Sequence, residues 1–209
     1  MGLTFPNTFF YEFVTLFTVL CPPATIPIFL AVTAGLDQRQ ALLVACYASS
    51  AAFLVLLFFI VAGQNLLVAL NIPMESFQMA GSIVLLLFGL KMVLGTVIEE
   101  AEEVPEGTTL MQRSIYPLAM PGIAGAGAML TVVQLTDNNG RTVAEQAATT
   151  GVLAVCLAIF FVLFALSRLI FRLIGLAGIE IVSRVFGLIL ASIAVTNMIV
   201  AIKLSFGLG

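Results

Sequence analysis

Residues 9–34 read FFYEFVTLFTVLCPPATIPIFLAVTA. Apart from Glu12 nothing in this stretch is charged. It is longer than the roughly 20 apolar residues a helix needs to cross the hydrocarbon core of a bilayer. Yet its middle reads Cys21-Pro22-Pro23-Ala24-Thr25-Ile26-Pro27. Each proline removes a backbone donor and crowds the turn before it, so no regular helix is expected to run through. A membrane-length helix interrupted halfway sets the terms for the rest of the chain.

The surroundings agree with a membrane reading. The chain has 209 residues, 61% hydrophobic and 9% charged, against about 25% charged in a soluble domain. Its mean hydropathy is +1.18. Five further apolar stretches follow: Ala41–Val61, Phe77–Val97, Ile115–Leu135, Ala147–Phe171 and Ile181–Phe206. The expectation is therefore an all-α transmembrane fold of six helices, with no soluble domain and no cleavable leader, since the first residues lack a basic segment. Arg39, Lys91, Arg113, Arg168, Arg172 and Arg184 fall on or beside loops of one face, and Arg141 and Lys203 on the other. The excess of basic residues marks the cytoplasmic side, which places both termini outside and the acidic loop EEAEEVPEGTTLM (99–111) inside. The location expected is the cell membrane.

The fourth stretch is also interrupted, at Met120-Pro121-Gly122-Ile123-Ala124-Gly125-Ala126-Gly127. Either break alone reads as a proline kink. Two breaks, three spans apart, read as more. Pro23 falls on Pro121, and Gln78–Val84 can be laid on Arg184–Leu190. The layout is a broken helix, an intact helix and a Gly-bearing helix, twice: a repeat over 1–98, an acidic loop over 99–112 and a second repeat over 113–209, all in one membrane domain. Three spans per copy make the second copy enter from the opposite side, the inverted repeat common in secondary transporters. Non-helical backbone at membrane depth must face protein or a wet cavity. A half-helix start favours a carboxylate and a half-helix end an ammonium or cation, so paired breaks can hold a zwitterion without charged side chains. The expected substrate contacts are Pro22, Pro23, Ala24 and Thr25 at the first break and Pro121, Gly122, Ala124, Gly125 and Gly127 at the second. Gln78 and Asn197, on the third helix of each repeat, join them.

At these residues the chain resembles a known family. Pro117-Leu118-Ala119-Met120-Pro121 followed by Ala124-Gly125-Ala126-Gly127 is similar to the PLAMP…AGPG signature of the MarC/SnatA family, with Ala126 where that family often has Pro. Gly178-Ile179-Glu180-Ile181-Val182-Ser183-Arg184-Val185-Phe186-Gly187 resembles its GIE…SR…G element, and Pro27-Ile28-Phe29-Leu30 its first-helix pattern. The resemblance spans essentially the whole chain. It implies a six-span integral membrane protein and transport of small neutral amino acids such as alanine, glycine, serine and threonine.

Other residues carry blander readings. Glu180 and Arg184 have the i, i+4 spacing of a helical ion pair, and the same pair can serve as a gate. Glu12 reads as interfacial, with a coupling proton as its sharper role; sodium held by backbone carbonyls is the other coupling ion the fold class allows. Small residues at four-residue spacing, Ala48/Ala52, Ala147/Gly151 and Gly187/Ala191, suit close helix packing. The cysteines Cys21, Cys46 and Cys156 read as small packing residues.

With no His, scattered Cys and Asp only at Asp37 and Asp137, neither a metal centre nor an enzyme's acid–base set is expected, and no catalytic residue or cofactor is assigned. The absence of a basic run argues against nucleic acid, and that of a phosphate-binding loop against ATP as direct energy source. The alternatives to a carrier are a small-solute channel built on re-entrant half-helices and an assembly subunit. The lipid bilayer is a necessary partner, and a homo-oligomer is compatible with the sequence.

Overall fold

The computed structural model describes residues 5–95, 108–136 and 142–207. Most of the acidic loop, together with Asp137 and Arg141, lies outside the described residues. Among those described there are helices and turns and no strand.

Helix α1 (Phe5–Leu20) ends at Cys21, and α2 (Pro22–Val32) continues from it. Two long helices follow, α3 (Gln38–Ala69) and α4 (Met74–Leu94). Past the acidic loop come a single turn, α5 (Leu110–Arg113), a wide-wound stretch over Ser114–Ile123, and α6 (Ala126–Leu135). The final helical run, Val143–Ser205, is interrupted at Gly175 (φ 67°), which separates α7 (Ala144–Leu173) from α8 (Glu180–Ser205). Among the described residues four helices, α3, α4, α7 and α8, are long and apolar enough to cross a membrane. Two bent pairs add to them, α1 with α2 at 49° and Leu110–Ile123 with α6 at 57°, giving up to six spans.

Local chemistry sets these limits. Asp37, Thr109 and Thr142 each cap a helix start, with Gln40, Gln112 and Glu145 reaching back to the capping residue; such a reciprocal pair satisfies donors that helix starts leave free. Helix α3 runs beyond the expected Val61 to Ala69, because nothing after Val61 stops it until Asn71 (φ 52°) and Pro73. Gly63 does not end it: it lies buried where a Cβ would meet the Val133 side chain of α6 at 2.5 Å.

In lipid, helices associate through close packing and hydrogen bonds rather than through apolar burial. The outer faces are accordingly apolar, with Leu54, Val61, Leu87 and Leu188 exposed. Helices α4 and α8 touch backbone to backbone. A Cβ on Gly89 would stand 2.8 Å from the Gly187 carbonyl oxygen and 2.8 Å from the Ala191 nitrogen. One on Gly187 would stand 2.7 Å from the Met92 Cβ. Gln78, early in α4, donates from Nε2 to the carbonyl of Asn197, late in α8, at 3.2 Å. The two helices therefore run antiparallel. Gly187 packs on Gly89, while Gly81, its counterpart in the sequence alignment of the halves, packs on Ala126.

Ala48 and Ala52 are buried as their spacing suggests. Ala147 and Gly151 are exposed, and a Cβ on Gly151 would meet nothing within 4 Å; spacing fixes a shared face and does not say which way it looks. Cys21 and Cys156 are buried and Cys46 is exposed, for the same reason. The stacked rings of Phe29 and Phe164, 4.5 Å apart, tie α2 to α7.

Candidate functional site

The first break is one residue wide. A residue preceding proline is pushed out of the right-handed helical region, and Cys21 takes up the left-handed one (φ 47°, ψ 66°). Pro22 and Pro23 then occupy the first two positions of α2, where a missing N–H costs nothing. The side chain of Pro23 lies outside the description. Pro27 sits inside α2 without ending it, so the interruption is narrower than the run Cys21–Pro27 suggests.

This geometry decides which backbone groups are left over. Ala24 N–H donates to the Cys21 carbonyl at 3.0 Å and Cys21 N–H to Phe17 at 3.1 Å. With two prolines ahead of Ala24, the first turn of α2 offers no free amide. The acceptors fare differently. The helical donors for the Thr18 and Val19 carbonyls would come from Pro22 and Pro23, which have none, and the donor for Pro23 would come from Pro27. Thr25, 1% exposed, donates its hydroxyl to the Pro22 carbonyl at 2.8 Å. The first break is thus rich in acceptors and poor in donors. It suits a cation, and no anion as a half-helix start alone would suggest.

The second break is wider. Tyr116 and Met120 are extended, the Tyr116–Pro117 and Met120–Pro121 peptide bonds are cis, and Ala124 N–H reaches back to Ala119 at 2.8 Å. Pro121 therefore lies inside this wide break, whereas Pro23 lies in the helix that follows the narrow one, so the two prolines do not occupy matching places. Gly125 caps α6 without a side chain, and no intrahelical carbonyl reaches the N–H groups of Ala126, Gly127 and Ala128. A Cβ on Gly125 would stand 2.7 Å from the Pro121 carbonyl oxygen. This break is rich in donors.

The two breaks meet. A Cβ on Gly122 would lie 3.8 Å from the Thr25 methyl and 3.9 Å from Ile28, and one on Gly127 would lie 3.6 Å from Val19. Val19 beside Gly127 and Ile28 beside Gly122 make the broken helices antiparallel, crossing at their breaks. Ala24, Thr25 and Ala124 are buried there. Gly81 of α4 closes one side against Ala126, and Gln78 stands one turn away on the same face. Asn197 enters through its carbonyl, as the acceptor for Gln78.

Glu180 and Arg184 stand elsewhere. Both are exposed and line a cleft of about 1010 Å³ with Ser183, Arg168, Arg172 and the far end of α2 at Pro27, Leu30 and Ala31. No ion pair joins Glu180 to Arg184 among the described residues. A smaller cavity of about 150 Å³ lies between α4 and the wide-wound stretch, lined by Lys91, Pro117 and Pro121 among others. Neither cavity is lined by both breaks.

Two features go beyond the residues that spacing singles out. Glu12, which reads as interfacial, is 3% exposed and accepts from the Thr149 hydroxyl of α7 at 2.9 Å. Arg168 donates to the carbonyls of Leu36 at 2.6 Å and Asp37 at 3.2 Å, covering the turn after α2. In the sequence, the only signal for either is a charged residue inside an apolar run.

Comparison with known proteins agrees with this architecture. A family profile described as MarC family integral membrane protein matches residues 6–206. The chain belongs to the MarC family. It is similar to several family members known as UPF0056 membrane proteins. One from Aquifex aeolicus is 28% identical over 93% of this chain and 92% of its own length. One from Pyrococcus abyssi is 30% identical over 97% and 98%, and YvbG of Bacillus subtilis 30% identical over 88% and 89%. No solved structure matches this MarC family chain.

Proposed function

We propose that this MarC family protein is a secondary transporter of small neutral amino acids, of the alanine, glycine, serine or threonine type, working by alternating access about its two breaks. One observation carries the reading: the acceptor-rich end of α1 lies against the donor-rich start of α6, at the contact of Val19 with Gly127. Carbonyls left without donors attract an ammonium, and free amides at a helix start attract a carboxylate. A small zwitterion carries both, at the spacing of one α-carbon. Glycine and alanine at Gly122, Ala124, Gly125 and Gly127 leave the backbone uncovered, which favours a ligand with a small side chain.

The antiparallel crossings of α1–α2 with Ser114–α6, and of α4 with α8, support two inverted three-helix repeats. In that reading both termini face outward, the acidic loop is cytoplasmic, and Glu180 with Arg184 gates the cytoplasmic end. Buried Glu12, hydrogen-bonded to Thr149, is the carrier of a coupling proton. The cell membrane is the site of action.

Counterflow in proteoliposomes tests this. Vesicles loaded with unlabelled alanine should transiently accumulate labelled alanine, and vesicles loaded with glutamate or lysine should not. Uptake linear in concentration, with no counterflow, refutes the carrier and leaves the small-solute channel. Glu12→Gln should retain counterflow and lose uptake driven by a pH gradient; unchanged gradient-driven uptake removes Glu12 from coupling.

A further inference from the structure

The large cleft lies apart from the breaks: none of Cys21–Thr25 or Pro117–Gly127 lines it. Its charged lining is Arg168, Arg172, Arg184 and Glu180, with Ser183, Thr33 and Gln38 as the neutral polar residues. Among the described residues, three guanidinium groups line it with one carboxylate, an excess of two positive charges (3 − 1 = 2). A neutral zwitterion has no use for that excess. Arg168 is held in place through Nη2 by the Leu36 and Asp37 carbonyls, and the other donors of its fork remain available. Ser183 is 1% exposed, and its Oγ has no hydrogen-bond partner. A buried hydroxyl without a partner is rare in proteins and calls for a missing one. The remaining wall is apolar, with Leu30, Leu94, Leu169 and Phe171, and Leu94 and Leu169 are exposed on the outer surface.

We infer that this cleft binds the phosphate of an anionic phospholipid, its acyl chains lying along the apolar wall. Arg forks match phosphate oxygens in geometry and charge, and basic pockets between membrane helices recognise such head groups. A free phosphate satisfies the arginines and leaves the apolar wall wet. A lipid satisfies both. The inference stands whether or not the protein transports amino acids.

The test uses the purified full-length protein, stripped of lipid and examined by native mass spectrometry. Dioleoyl phosphatidylglycerol, dioleoyl phosphatidylcholine of the same chain length and inorganic phosphate are titrated separately. Phosphatidylglycerol should be retained in preference to phosphatidylcholine. Arg172→Gln and Arg184→Gln should each weaken its binding about fivefold, the effect of one basic side chain near an anionic surface. Arg39→Gln, at the same end of the molecule but outside the cleft, should not. Glu180→Gln removes the opposing carboxylate and should tighten binding, which keeps the test decisive if an arginine variant folds poorly. Equal retention of both lipids overturns the inference. So does equal weakening by Arg39→Gln, which points to diffuse surface charge, or inorganic phosphate competing fully with the lipid, which points to a free-anion site.

Discussion

Gly125 has no room for a β-carbon, because the carbonyl of Pro121 fills the place one would take. Its substitution therefore acts on the backbone of the break itself. Gly125→Ala should lower stability by about 1–3 kcal/mol, as overpacking does, and abolish counterflow while the protein still inserts. Gly151→Ala, facing open space inside a helix, is the matched control and should leave counterflow unchanged and raise the melting temperature slightly rather than lower it. If Gly125→Ala behaves like Gly151→Ala, the break does not depend on that close approach. Gly127 differs in kind: its neighbours are the Leu85 and Val19 side chains, so it is a packing glycine beside the break. At this scale much of the site is legible in the sequence. Pro22-Pro23 announces a break, and Pro121 and Gly125 announce another. The sequence does not tell donors from acceptors, because that depends on which side of each break the prolines fall. Glu12 is a similar case: it is buried and accepts a hydrogen bond from Thr149, far away in the chain.

Between elements, the close contact is α4 on α8. Gly89→Val should drive these helices apart, since the nearest atoms are backbone and cannot rotate away. The expected loss is about 1–3 kcal/mol or more, read as a lowered melting temperature in detergent, with Gly35→Ala unsuitable as a control because its φ is +75°. A melting temperature unchanged in Gly89→Val contradicts the backbone contact. Helix lengths are legible because apolar runs of membrane length have few readings, and α3 overruns the expected Val61 because the helix meets no stop until Asn71. The capping pairs at Asp37, Thr109 and Thr142 are equally legible, as a polar residue followed three positions later by Gln or Glu. The partner of each small-residue stripe is not. Gly187/Ala191 faces another helix and Ala147/Gly151 faces outward, yet the two spacings are identical.

For the molecule as a whole, the proposed orientation makes a simple statement about its ends. Alkaline phosphatase fused after the last residue should be active, and green fluorescent protein at the same place should be dark. The reverse result places the C-terminus inside and inverts the assignment of every loop. The bias of Lys and Arg toward one end is plain in the sequence; that three of those arginines share a cleft with a buried, unpartnered serine is visible only once α2, α4, α7 and α8 are assembled.

The contacts that define the centre all join an early residue to a late one: Val19 to Gly127, Thr25 to Gly122, Gly81 to Ala126, Gly89 to Gly187. A ribosome adds about 5–20 residues each second, so the first half waits in the bilayer on the order of ten seconds for its mates. During that wait the first break lacks the α6 neighbour that packs on it in the finished fold, and non-helical backbone facing lipid is poorly tolerated. Assembly of the centre therefore waits on synthesis of the second half.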